Sequence, residues 1–273
     1  MSRTTGIEWT EHTWNPVLGC SVASAGCTNC YAMRMAHRLG SMGNKPGYEG
    51  LTKQTKGGPV WTGKVRQASA EQIRKPMRLR NPATIFVNSM SDLFHPDMDD
   101  RWRDDAFAVM QEAPQHRYQI LTKRPEVAAR YYAERPHLHN LPQCWIGVSV
   151  ERADVRWRID RLREVPAAIR FLSVEPLIGP AGDLNLSGIH WVITGGESGP
   201  GARASEPDWT RAVRDQCVSQ KVALFHKQWG KYENNPLVCE QGMSIAAAKS
   251  ADPHGKGGAL LDGSLWREMP DSL

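Results

Sequence analysis

Apolar, β-prone runs alternate with charged, amphipathic stretches through most of the chain. The runs cover residues 84–87, 118–121, 144–150, 169–174, 189–194 and 222–225. Between them, 99–112, 125–134, 153–164 and 207–219 carry helical spacing. Strand and helix separated by crossover-length connections predict βαβ units and a parallel sheet. The strands are apolar almost continuously, as expected when both faces are covered. No Gly-x-Gly-x-x-Gly follows the first of them, which argues against a dinucleotide-binding domain and favours a barrel or partial barrel. Ser205-x-x-Asp208 has the form of a capping box opening the last helix.

The flanks read differently. Residues 6–19 carry Trp9 and Trp14 and lead into a cysteine-bearing loop. A helix is expected at 31–39, a long Gly/Lys/Pro-rich loop at 40–63, and a helix at 66–79 interrupted near Pro76. The tail is Gly- and Asp-rich with short apolar runs. The expected organisation is a barrel domain at 1–230 and an irregular extension or cap at 231–273.

Polar residues gather where each run ends. The ends are Asn88-Ser89-Met90-Ser91-Asp92, Thr122-Lys123-Arg124, Ser149-Val150-Glu151, Ser173-Val174-Glu175-Pro176, Thr194-Gly195-Gly196-Glu197 and His226-Lys227-Gln228-Trp229. In a parallel barrel these C-terminal ends share the face on which active sites are built. Gly195-Gly196 would let a backbone approach a ligand closely.

The 273 residues carry a formal charge of +5, which suits a polyanionic partner such as nucleic acid. No apolar stretch is long enough to span a bilayer, and the polar start at 1–12 lacks the apolar core of a signal peptide, so a cytoplasmic protein without a membrane partner is expected. Of six cysteines, Cys144, Cys217 and Cys239 are scattered, whereas Cys20, Cys27 and Cys30 crowd together as C-x6-C-x2-C. Thiolates select zinc, copper(I) or iron–sulfur clusters. A cubane cluster with three local cysteines would keep one iron open. Zinc is the rival, with His37 or His12 completing a Cys3His site; a zinc-stabilised nucleic-acid-binding protein is then the alternative function.

The chain resembles the radical-SAM superfamily, and closely a phage-associated branch of it. The resemblance rests on Ile7-Glu8-Trp9-Thr10, Trp14-Asn15-Pro16, the stretch Gly19-Cys20 to Cys30-Tyr31-Ala32, Ser89 to Phe94, Leu121 to Pro125, Gly147 to Glu151, Ser173 to Leu177, Gly195 to Gly199, and Lys227 to Gly230. It departs in the first spacer, since the common loop of that superfamily is C-x3-C-x2-C. The resemblance implies an α/β partial (β/α)6 TIM-like barrel with a short irregular C-terminal extension. It implies a [4Fe–4S] cluster on Cys20, Cys27 and Cys30, with S-adenosylmethionine cleaved to a 5′-deoxyadenosyl radical. The cofactor-binding residues it suggests are Asn88, Ser89, Ser91 and Asp92 for the methionine amino group, Lys123 for the carboxylate, Ser149 and Glu151 for the ribose, and Tyr31 near the adenine. Glu175, Glu197 and Lys227 would be catalytic, with Arg203 and Gln228 also facing substrate. The expected reaction is modification or repair of a nucleobase or nucleic acid, with a nucleic acid or nucleotide as substrate and an external electron donor such as flavodoxin or ferredoxin. A radical enzyme acting on a small metabolite or peptide stands beside it.

Overall fold

The computed structural model describes residues 5–42 and 47–270. The first four residues of the polar N-terminal start, residues 43–46 of the expected 40–63 loop, and the last three residues of the extension lie outside the described residues. Contacts divide the chain into one unit of Met1–Gly147 with Glu164–Ile169 and a second of Val148–Arg163 with Arg170–Leu273.

The first unit opens with two short strands, β1 (His12–Trp14) and β2 (Val17–Leu18). The cysteine loop follows, then α1 (Tyr31–Ser41), the hairpin β3 (Thr52–Thr55) and β4 (Gly58–Trp61), β5 (Arg66–Gln67) and α2 (Ala70–Ile73). The alternation begins at β6 (Thr84–Val87), α3 (Asp100–Glu112), β7 (Arg117–Thr122), α4 (Pro125–Ala133) and β8 (Cys144–Ser149), the strand in which the unit boundary falls. The second unit continues with α5 (Trp157–Arg163), β9 (Ile169–Val174), β10 (Trp191–Gly195), α6 (Pro207–Gln220) and β11 (Ala223–Gln228). Its tail adds α7 (Pro236–Cys239), α8 (Ile245–Ala251) and the hairpin β12 (Leu260–Leu261) with β13 (Ser264–Leu265).

The fold is α/β, with a seven-stranded sheet in the order β1-β6-β7-β8-β9-β10-β11. β1 pairs in parallel with β6, with Trp14 beside Val87, and β6 with β7. β10 pairs in parallel with both β9 and β11. Every residue of β8 and β10 is buried, the consequence of covering both faces of parallel strands. Among the described residues no helix is long and apolar enough to cross a membrane.

Three local expectations fail for physical reasons. Residues 66–79 do not form one helix. Arg66 and Gln67 pair antiparallel with β2. The helix then starts at the Ser69 cap and lasts four residues before a 3-10 turn containing Pro76, which has no N–H to give. The 40–63 loop contains a β-hairpin, since Thr52–Thr55 pairs with Gly58–Trp61. The capping box at Ser205 is not made: Pro207, with its preset φ, fixes the first helical position, Glu206 caps without a side-chain bond, and the Ser205 hydroxyl is buried without a partner.

Two polar anchors hold the connections. Arg103 is buried in α3; its guanidinium donates to the Leu93, Met98 and His95 carbonyls and pairs with Asp100, fixing the loop after β6. The C-terminal tail runs antiparallel along β11: His226 N donates to Trp266 O at 2.9 Å and Glu268 N to Leu224 O at 3.0 Å. That covers the edge strand, which would otherwise offer its unpaired backbone to another chain.

His226, at the centre of β11, is fully buried. Its ring packs 4.5 Å from that of Trp229, and Nδ1 lies 3.0 Å from the Thr194 hydroxyl. Burial, and then the Arg267 cation, pull its pKa down to about 3. The unfolded chain therefore binds a proton between about pH 6.5 and 3 that the folded chain refuses. The stability this group contributes is complete above that window and is lost as the pH falls through it. In His226→Gln, the slope of unfolding free energy against pH between about pH 6 and 4 should flatten by roughly 1.4 kcal/mol per pH unit, the equivalent of one proton. Urea titrations across that range measure it; an unchanged slope would show that His226 is protonated in the folded state.

Candidate functional site

The cysteine loop in the first unit gets little order from regular structure. Only Ala25–Cys27 forms a 3-10 turn. Cys27 lies in an apolar cluster with Leu18, Met33, Ala36, Leu51, Trp61 and Met90, and Cys20 and Cys30 pack against it. Its shape comes from side chains at the ends of neighbouring strands. Asn15 Oδ1 accepts from Met90 N at 2.8 Å, and Nδ2 lies 3.2 Å from the Ser89 hydroxyl. Ser91 Oγ donates to Val17 O at 2.7 Å. Gly19, at φ +89°, bridges to Ser91, and a Cβ there would meet the Lys64 carbonyl at 2.2 Å.

The deepest anchor is an ion pair. Asp92 and Arg124 have side chains 6% and 8% exposed and meet at 2.7 Å. Asp92 also accepts from Phe94 N, the Thr122 hydroxyl and Lys123 N. Arg124 donates to Ser21 O at 3.0 Å and Ser21 Oγ at 2.7 Å, and reaches Cys20 Sγ at 3.9 Å. His95 Nε2 stands 2.8 Å from the same Ser21 hydroxyl. Burial, followed by the Asp92 carboxylate, pushes the Cys20 thiol up to about 12, opposed by Arg124. Burial also raises Cys30. Both thiols pack against the apolar cluster that contains Cys27.

The residues expected to read a cofactor fall into two kinds. Ser89, Ser91 and Asp92 hold the loop. Asn88 differs: it sits at φ +60°, is 3% exposed, and neither polar atom of its amide has a partner. Tyr31 donates its hydroxyl to Ser89 O at 2.6 Å and leaves its ring exposed. Lys123 gives its backbone N–H to Asp92, while the neighbouring Arg124 carries the buried cation. Sequence reasoning missed Arg124; its place before Pro125 at the start of α4 was the available signal. His37 Nδ1 lies 3.1 Å from the Thr52 hydroxyl of the hairpin, and His12 is in β1. Among the described residues no three His, Cys, Asp or Glu side chains form a group that could hold a metal ion.

The second unit has its own polar strand ends. Glu151 is 1% exposed and pairs with Arg158 at 3.0 Å, and the same guanidinium donates to the Ser149 carbonyl. Glu197 is held by Arg203 through both carboxylate oxygens. Glu175 pairs with Lys227 at 2.7 Å, both side chains about one-fifth exposed, and Gln228 Nε2 donates to Gly196 O at 3.0 Å. Its Oε1 is buried without a partner. The close approach expected at Gly195-Gly196 is made by the chain itself. A Cβ on Gly196 would meet Trp229 O at 2.2 Å, and one on Gly195 would lie 3.1 Å from the Glu175 carboxyl carbon.

These features define an α/β protein with a parallel sheet and a three-cysteine loop fastened to the ends of its first strands. The chain belongs to the family described as protein of unknown function (DUF5131), whose model matches residues 4–270. No curated protein and no solved structure matches it.

Removing one partner of a buried ion pair strands the other, at about 3–5 kcal/mol. Arg124→Met should therefore lower stability by about 3 kcal/mol, whereas Lys123→Ala should change it by less than about 1 kcal/mol. Adding Asp92→Asn to Arg124→Met should recover part of the loss. Denaturant unfolding checks all three, and an additive double variant would refute the coupling. Asn88→Gly keeps the left-handed backbone and deletes the unsatisfied amide. It should be neutral or stabilising by about 1 kcal/mol in the same assay; a loss above about 2 kcal/mol would show that the amide is bonded in solution.

Proposed function

We propose that this chain is a radical S-adenosylmethionine enzyme built on a partial (β/α)6 barrel, with a [4Fe–4S] cluster on Cys20, Cys27 and Cys30. The observation that carries the reading is the cysteine loop: three cysteines gathered on one apolar cluster, in a loop pinned at the C-terminal ends of β1, β6 and β7 by Asn15, Ser91 and Asp92–Arg124. The donor set fits. Three soft sulfurs against a largely apolar cluster of side chains suit an iron–sulfur centre, and a cation beside Cys20 offsets the negative charge of ligating thiolates. When bound, the cluster supplies an electron and an open iron for breaking the sulfonium of S-adenosylmethionine.

The protein's own residues do the rest. Arg124 and Asp92 fix the loop so that the three sulfurs keep their places. Asn88, with both a donor and an acceptor available beside the loop, is suited to a zwitterionic ligand such as the methionine moiety. An external one-electron donor of the flavodoxin or ferredoxin kind would complete the reaction.

Purification without oxygen should yield iron and sulfide at about four each per chain. Cys20→Ala, Cys27→Ala and Cys30→Ala should each lose most of both, and Cys144→Ala, in the core strand β8, should not. Reduced, loaded protein should release 5′-deoxyadenosine from S-adenosylmethionine. Stoichiometric zinc without sulfide would overturn the reading and leave a zinc-stabilised binding module in its place.

A further inference from the structure

The net charge hides a strong segregation. Residues 31–80 hold 11 of the 34 Lys and Arg but 2 of the 29 Asp and Glu, so these fifty residues net +9 and the remaining 223 net −4. The described residues among them include α1, the β3–β4 hairpin, β5 and α2, all within the first unit. Arg38, Lys53, Lys56, Lys64, Arg74 and Arg80 are exposed, and none has a carboxylate partner among the described residues. The two acids of the stretch are placed on Arg66 and Arg78.

This basic segment is fastened to the cysteine loop. α1 starts directly after Cys30. β5 pairs with β2, placing Arg66 opposite Leu18, and the backbone of Lys64 crosses Gly19, the residue before Cys20. The helix adds a second feature. Tyr31, Met35, Arg38 and Met42 follow i, i+4, i+7, i+11 spacing and are all exposed, while Ala32, Met33 and Ala36 face the core. Tyr31 is 56% exposed, and its hydroxyl is tied to the Ser89 carbonyl.

We propose that residues 31–42 and 47–80 form a docking surface for nucleic acid that brings a strand to the cysteine loop. A basic track follows the phosphates, and a restrained, exposed aromatic with thioether neighbours gives unstacked bases a face to lie on. The assignment names the substrate class of the radical enzyme proposed above and rests on that reading for its chemistry, but not for binding. Neither a small metabolite nor a short peptide calls for a field of this extent.

The test is fluorescence anisotropy of a labelled, mixed-sequence single-stranded oligonucleotide across a salt series, using the intact chain as purified without oxygen. Each phosphate contact contributes about 0.7 to the slope of log affinity against log salt. The triple variant Lys53→Gln, Lys56→Gln, Lys64→Gln should lower that slope by about 2, with metal content and thermal midpoint unchanged, because the replaced side chains are exposed. The control triple Lys221→Gln, Lys249→Gln, Lys256→Gln removes the same charge from the second unit and should leave the slope within about 0.5 of the parent. Binding that ignores salt, an equal loss in both triples, or capture of phosphatidylserine vesicles with no oligonucleotide binding would each overturn the surface. Failure to form 5′-deoxyadenosine with binding intact would count against the reaction alone.

Discussion

The buried pair of Asp92 and Arg124 is the constraint on which the cysteine loop depends. Taken alone, such a pair is a poor source of stability, because desolvating both charges offsets most of their attraction. Its value lies in what else each partner holds. Asp92 is satisfied by two backbone N–H groups, a hydroxyl and the guanidinium. Arg124 is satisfied by that carboxylate and by the carbonyl and hydroxyl of Ser21. The end of β6, the start of α4 and the loop beside Cys20 are thus tied at one point. A loop with a single 3-10 turn has no ladder of its own to resist distortion, so its geometry is imposed by the strand ends it crosses.

Much of this frame was legible from sequence. Buried parallel strands must be apolar throughout, so β6 to β11 announced themselves as continuous runs, and the intervening helices carried their own period. β1 did not, because His12-Thr13-Trp14 is short, mixed in polarity and at the sheet edge. The β3–β4 hairpin was hidden for the opposite reason: its first strand is mostly exposed, so no alternation marked it. The tail strand along β11 was invisible because Trp266, Arg267 and Glu268 pair with an element forty residues away through backbone groups that every residue carries.

The polar strand ends were legible in position, but the contacts their side chains make were not. Polar residues at strand ends were correctly located, yet residue type cannot separate a side chain that holds a loop from one that meets a ligand. Ser91 and Asp92 read as ligand contacts and are occupied by Val17, Thr122 and Arg124. Lys123 read as the site cation, and Arg124 beside it is the one buried against the cysteine loop. What decides between neighbours is burial, which depends on how α4 leaves the strand at Pro125, and a local pattern does not encode that.

Asn88 therefore carries more weight than its neighbours. Its left-handed backbone alone does not explain it, since glycine adopts that conformation at no steric cost and would bring no buried amide. An unsatisfied buried polar group costs about 1–3 kcal/mol; Ser205 and Gln228 each leave one such atom, Asn88 leaves both atoms of its amide, and Asp92, four residues on, has four partners. An amide left open at the end of β6, beside a loop so heavily fastened, makes physical sense if something other than the chain completes its hydrogen bonds. The rigid surroundings then act as preorganisation, since a donor and an acceptor held in place lose little entropy when a polar ligand arrives.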